Sequence, residues 1–204
     1  MKRFNLALVF VLLLGVLVAA FLWLDFQLAR SNTQAQSTVS TARSGEPDDQ
    51  GLLLNQGLLV FVEGPEDLAR PLRRELARRL GVIPNLAGIS VVDNPPDQVG
   101  QPVLGFEIQA SNVNWTPVYA RAQLNLRMIF ASDGELSWRH LQNPVMELRE
   151  LGTIRVDGDF TIEDTTVGLI SRPAYYRYLA EQIALRTGES LAQALQPPPG
   201  TGTP

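Results

Sequence analysis

Few side chains in this sequence are of a type that does chemistry, and fewer are spaced to do it together. The chain has one histidine, His140, and no cysteine. A hydrolase using His140 needs a nucleophile and a carboxylate brought beside it. No G-x-S-x-G elbow occurs to present a serine. His140 follows Ser137-Trp138-Arg139 at the end of an expected hairpin strand, where a surface or structural role is the ordinary one. One histidine without cysteine also argues against a zinc or other transition-metal site. Asp157, Asp159, Glu163 and Asp164 gather along a later stretch, but without the spacing and glycine of a calcium loop. Strand alternation simply places Asp157 and Asp159 on one polar face. Every basic residue except Lys2 is arginine, so the rest of the chain has no lysine to act as a Schiff-base nucleophile or phosphate clamp. Neither a phosphate-binding loop nor a dinucleotide fingerprint is present. The sequence therefore predicts no catalytic residue, no cofactor and no metal.

What remains is recognition. Arg70, Arg73, Arg74 and Arg78 fall opposite a leucine stripe on an expected helix. So basic a face in an acidic chain suits anionic lipid headgroups or an acidic partner, against the ordinary alternative of a solvated helix face. Glu66–Arg70 and Glu75–Arg79 are spaced to pair, while Arg70–Arg74 and Arg74–Arg78 are like-charged neighbours. Trp115, Pro117 and Tyr119 cluster where a loop enters a strand, either as a partner-binding loop or as a turn packed on the sheet edge. Tyr175, Tyr176 and Tyr178 open the last helix, where core packing is the default.

The elements that must position these groups follow from periodicity. Leu58 to Val62 is a buried strand closed by Gly64-Pro65. Leu68, Leu72, Leu76 and Leu80 recur every four residues, the apolar stripe of a helix stopped by Gly81. Pro65 suits its start, although Pro71 weakens the first turns and is a second candidate start. Short strands are expected at Ile89–Val92 and Val103–Gln109. Val118, Ala120, Ala122, Leu124, Leu126, Met128 and Phe130 alternate with Tyr119, Arg121, Gln123, Asn125 and Arg127, which means a sheet covered on one side. Ser132-Asp133-Gly134 signals a hairpin turn with residues 135–140 returning as the partner. Ile154, Val156, Phe160 and Ile162 alternate again, with Gly158 placed for a bulge. From Pro173 to about Leu195 runs a second amphipathic helix, ended by Pro197-Pro198-Pro199. Strands joined by short turns imply a largely antiparallel sheet with two amphipathic helices on its apolar face.

Ahead of this lies Leu6 to Leu24, nineteen residues without a charge, preceded by Lys2 and Arg3. Nineteen helical residues rise about 28 Å, close to the thickness of a hydrocarbon core. Positive-inside preference puts the N-terminus in the cytoplasm and the remainder outside. A cleaved signal peptide is the competing reading, but the run is long and continues past Ala19-Ala20 into Phe21-Leu22-Trp23-Leu24. Residues 31–50 hold almost no large apolar side chain, the composition of a flexible tether. The expected organisation is therefore a short cytoplasmic N-terminus (1–5), a transmembrane signal anchor (6–24), a flexible tether (25–56), an extracytoplasmic α+β domain (57–196) and a disordered tail (197–204). The domain would hold a mostly antiparallel sheet of about five to six strands with two amphipathic helices on one face. The chain carries 17 basic and 21 acidic residues, a net charge of −4. That balance argues against a general nucleic-acid partner.

In layout, residues 57–195 resemble small envelope-assembly domains: the lipopolysaccharide-assembly lipoprotein, the curli-secretion lipoprotein and the N-terminal domain of TolB. The likeness is carried by the helix end Leu76 to Gly81, the hairpin Asp133-Gly134-Glu135-Leu136-Ser137-Trp138 and the closing helix Tyr175 to Leu195. Those lipoproteins carry an acylated cysteine after the signal, which this chain lacks. The resemblance implies a non-enzymatic role in assembling or positioning envelope components, and it transfers no functional residue. The expectation is a membrane-anchored, extracytoplasmic binding or scaffold domain with a protein partner in the envelope, acting through sheet edges or helix faces. The alternatives are a carrier of a lipid or other apolar ligand between sheet and helices, and a hydrolase using His140.

Overall fold

The computed structural model describes residues 2–43, 57–81, 88–93, 100–134 and 154–195. In chain order the elements are α1 (Lys2–Trp23), β1 (Gln27–Arg43), β2 (Leu58–Glu63), α2 (Glu66–Leu80), β3 (Ile89–Val91), β4 (Val103–Thr116), β5 (Tyr119–Ala131), β6 (Ile154–Ile170) and α3 (Arg172–Leu195). The strands form one six-stranded sheet in the order β1-β6-β5-β4-β2-β3.

The sheet is mixed rather than mostly antiparallel. β2 pairs in parallel with both β3 and β4, while β1–β6, β6–β5 and β5–β4 are antiparallel. The reason is α2. Inserted between β2 and β3, it carries the chain back to the end of the sheet where β2 began, the crossover a parallel pair needs. β2 accordingly reads as a continuous apolar run, buried on both faces at Val60, Phe61 and Val62.

The helix-covered face holds the main core. Leu68, Leu72, Leu76 and Leu80 of α2 meet Val60, Val62, Leu104 and Phe106 of the sheet, and Tyr175, Leu179 and Ile183 of α3 meet Phe160 and Ile162, all in one buried cluster. Pro71 is accommodated inside α2, which starts at Glu66 directly after Pro65. A second, smaller cluster of Phe61, Val103, Ile129 and Ala131 lies on the opposite face. There the Phe61 ring crosses Gly105 so closely that a Cβ at 105 would come within 2.2 Å of it. No bulge occurs at Gly158, whose pairing to Val39 and Met128 is in register on both sides. The irregularity is in β4 instead, between Ile108 and Ala110, so that Gln109 is the extra residue.

Two expectations about the N-terminal part are corrected. The stretch expected to be a flexible tether contains β1, which pairs with β6 residue for residue from Gln27–Ile170 to Arg43–Ile154. Its polar composition forms no core of its own, but an edge strand needs only a neighbour's hydrogen bonds and one half-buried face. Ala29, Ala35 and Val39 supply that face, packed against the main core. The transmembrane span is also not found: among the described residues no helix is long and apolar enough to cross a membrane. α1 is a 22-residue helix. Its large apolar side chains between Leu8 and Val18 are exposed, from Val18 at 50% to Phe10 at 68%. At the end of α1, Phe21 and Phe26 meet edge to face with centroids 4.7 Å apart.

The strand expected at 135–140, with His140 and Trp138, and the tail 197–204 lie outside the described residues.

Candidate functional site

Among the described residues, three places bring polar side chains together: a cleft between the two core helices, a buried carboxylate on β6 and the free edge of β1.

The cleft lies where the starts of α2 and α3 meet the segment after α1. It encloses about 440 Å³ and is lined by Arg70, Arg74, Arg172 and Arg177 together with Asp25, Glu66, Asp67 and Glu75. Ser171 sets its geometry as the N-cap of α3, its Oγ accepting from the Ala174 N–H at 3.3 Å. The same Oγ accepts from the Phe26 N–H at 3.0 Å, which ties the end of α1 to the start of α3. Arg172 donates to Asp67 at 2.6 Å and lies over the Tyr176 ring. Arg177 is paired with Asp25.

Only two of the four arginines singled out in the sequence, Arg70 and Arg74, line this cleft. Arg70 is paired with Glu66 at 3.3 Å. Arg74 is exposed and has no ion-pair partner among the described residues. Arg73 turns inward: its guanidinium donates to the Val62 carbonyl at 3.1 Å and to Glu66, closing the end of β2. Arg78 pairs with Glu75 at 2.6 Å, so Glu75 chooses the i,i+3 neighbour over Arg79. That hydrogen bond raises the Arg78 pKa above its ordinary value. With four carboxylates against four guanidinium groups, the cleft is a charge-balanced junction rather than a basic patch.

Sequence inspection missed the second place. Asp157, Asp159 and Glu163 lie on the face of β6 away from the helices, but Asp164 points inward and is 2% exposed. Its carboxylate is met by hydroxyls alone. Thr33 of β1 donates to Oδ1 at 2.7 Å, while Thr166 at 2.8 Å and Tyr175 of α3 at 2.9 Å donate to Oδ2. Because Thr33 and Thr166 spend their protons on Asp164, the contacts behind them have a fixed direction. Tyr178 donates to Thr33 and Ser31 donates to Thr166, each at 2.6 Å. The result is a closed network joining β1, β6 and α3. Burial, with the Asp164 charge beside it, pushes the Tyr175 hydroxyl far above the usual tyrosine range. Tyr175 is therefore a fixed donor and not a general base. The signal was in the alternation: inward positions Phe160 and Ile162 continue to Asp164 and Thr166.

On the outward face, Arg127 grips Asp157 through two bonds, 2.9 Å from Nε and 2.8 Å from Nη2, and its pKa is raised by that contact. Trp115 is placed by its indole N–H donating to the Ile170 carbonyl at 3.2 Å, and Thr116 closes the turn against Tyr119. Trp115 is half-buried against the main core, while Tyr119 stays 42% exposed. Among the described residues no group of three or more His, Cys, Asp or Glu is placed to hold a metal ion.

The third place is an edge. β1 is the last strand of the sheet on one side, 17 residues long, with β6 on one flank and, among the described residues, nothing paired on the other. The opposite edge, β3, has three residues.

No protein-family model and no curated protein matches this chain. Among solved structures it is similar to the PelC dodecamer from Paraburkholderia phytofirmans, with 8% identity, a TM-score of 0.34, and coverage of 72% of this chain and 95% of that one. A single-substitution variant of the same dodecamer gives 8% identity, a TM-score of 0.34, and coverage of 81% and 98%. That likeness is too slight to define a shared fold.

Proposed function

We propose that this chain is a non-enzymatic binding or scaffold domain of the cell envelope, and that it binds through the free edge of β1. The edge itself carries the reading. Natural sheets blunt their edges with short strands, prolines, lysines or bulges. β1 has none of these over 17 residues, and its pairing to β6 shows no break in register. Extended at about 3.3 Å per residue, it offers roughly 55 Å of backbone donors and acceptors. Strand addition to such an edge is a recurrent mode of protein recognition. The Asp164 network supports the same reading, because it fastens β1 to the core from behind while its front stays open.

The apolar side chains exposed along α1 support a place at a membrane surface. A ligand carrier would need room between the sheet and its helices. That space holds Leu72, Leu76, Phe106, Phe160 and Leu179, each at most 1% exposed, so packing favours the scaffold.

The test is a photoreactive residue introduced at Gln34, on the exposed part of β1, in the full-length chain in its native cells. Discrete protein adducts are expected at Gln34, and none from the same group at Arg70 on the helix face. Adducts at Arg70 alone would move the binding surface to the helix cleft.

A further inference from the structure

We infer that the occupant of the β1 edge is β1 of a second copy, antiparallel and centred on Ala35. This rests on the reading of β1 as a binding edge and names its partner. Ala35 is the midpoint of Gln27–Arg43, so a two-fold axis through it uses the whole strand. Centring on a residue keeps odd positions opposite odd positions, which leaves both sets of helices on one side of the joined sheet.

In that register the strand matches itself. Gln34 faces Gln36, Thr33 faces Ser37, Asn32 faces Thr38 and Arg30 faces Ser40. Gln34 meets an amide, Thr33, Asn32 and Arg30 each meet a hydroxyl, and no like charges stand opposite each other between residues 30 and 40. Side chains on the helix side of β1 are small and half-buried at Ser31, Ala35 and Val39, so a mate covers what the core leaves open. The ends of α3 suit the same axis. A cleft of about 210 Å³ opens beside Ala35, Gln36 and Ser37, and its far wall carries Arg186 and Glu189, paired at 3.0 Å. A two-fold mate therefore meets both signs of charge there. Among the described residues, the cleft beside this edge offers a foreign strand both signs of charge rather than a single one to select it.

The chain has no cysteine, so single cysteines report pairing without background. In the full-length protein in mild detergent, Ala35→Cys should form a disulfide or short-bridge dimer in most of the chains. Thr38→Cys faces Asn32 and should yield less than about a tenth as much, and mixing Thr38→Cys with Asn32→Cys should restore the adduct. The double variant Gln34→Lys/Gln36→Lys places cations opposite each other across the axis. It should weaken the dimer, read by native mass spectrometry, at least tenfold.

Equal crosslinking at 35 and 38, or an unsubstituted chain that is monomeric at every concentration, overturns the inference. The photoreactive group at Gln34 separates the two proposals. Adducts to another protein without self-adducts would leave the edge reading standing and remove the self-pairing, and no adduct of any kind would remove both.

Discussion

Asp157 and Asp164 sit seven positions apart on one strand and meet opposite surroundings. The odd spacing turns one outward and the other inward. Outside, Asp157 is answered by a guanidinium in a two-pronged ion pair whose side chains remain about one-fifth exposed, 18% for Arg127 and 20% for Asp157. Inside, Asp164 is answered by three neutral hydroxyls, with two more behind them. A solvated pair needs little from its neighbours. A buried carboxylate needs every lone pair engaged, because nothing else offsets its lost hydration. The difference teaches where specificity is held: the outer pair decorates the sheet, whereas the inner network fixes how β1 and α3 sit on β6.

The comparison is broken most directly by Asp164→Ala. It leaves the buried hydroxyls of Thr166 and Tyr175 and the half-buried one of Thr33 without their acceptor, at roughly 1–3 kcal/mol for each that finds no substitute. A total loss of about 3 kcal/mol or more is expected in denaturant unfolding. Hydrogen exchange should rise first across Gln27–Arg43, since β1 loses its side-chain fastening there. If exchange rises evenly through the sheet instead, the network is not what holds β1.

Much of this arrangement was legible in the sequence, and the failures share one cause. The α2 stripe, the β5 alternation and the closing helix were readable because each buries one face, and burial writes a period into the chain. β1 was missed because it buries only Ala29, Ala35 and Val39 partially and borrows its stability from β6. Its string of Ser, Thr, Gln and Asn carries the composition of a tether. Asp164 was grouped with its acidic neighbours by charge when its parity grouped it with Ile162. Arg73 was placed on the basic face by helical spacing, yet its long stem lets it reach back to Val62. Parallel pairing of β2 was hidden because it depends on where α2 returns the chain, which no local pattern records.

A second change tests whether β1 is held by the network or by close backbone approach. Gly168 has φ +121°, and a Cβ there would come 2.7 Å from the Leu28 carbonyl oxygen and 2.8 Å from the Ala29 Cα. Gly168→Ala therefore meets unyielding backbone as well as a disfavoured dihedral, together about 2–3 kcal/mol. Its effect on exchange should concentrate at Leu28 to Arg30, whereas Asp164→Ala should loosen β1 around Thr33. Identical exchange patterns for the two variants would mean that β1 detaches as one unit.

Tyr175→Phe removes a single donor and should cost about 1.5–3 kcal/mol at neutral pH, the worth of a hydrogen bond to a charged group. Its pH signature is sharper. The Tyr175 pKa is raised in the folded chain, so its contribution is complete below the unfolded value near 10. Above about pH 10 the unfolded chain releases this proton and the native chain keeps it. Stability then falls by up to about 1.4 kcal/mol per pH unit from this group alone. Denaturant midpoints measured between pH 9 and 11 should show that slope in the parent and a shallower one in Tyr175→Phe.

The smallest effect is expected at the outer pair, where a double-mutant cycle on Arg127→Met and Asp157→Asn reads the coupling directly. Bidentate geometry and partial burial place it at about 1 kcal/mol, the top of the range for exposed pairs. The pair lies near enough to solvent for salt to screen it, so the coupling should shrink between 0.05 and 0.5 M sodium chloride, over which the Debye length falls from roughly 14 to 4 Å. The Asp164 network, closed to ions, should not respond to the same titration. A coupling at Arg127–Asp157 that resists salt would mean this face is covered in solution, and the contrast between the two aspartates would then be one of partner chemistry rather than of exposure.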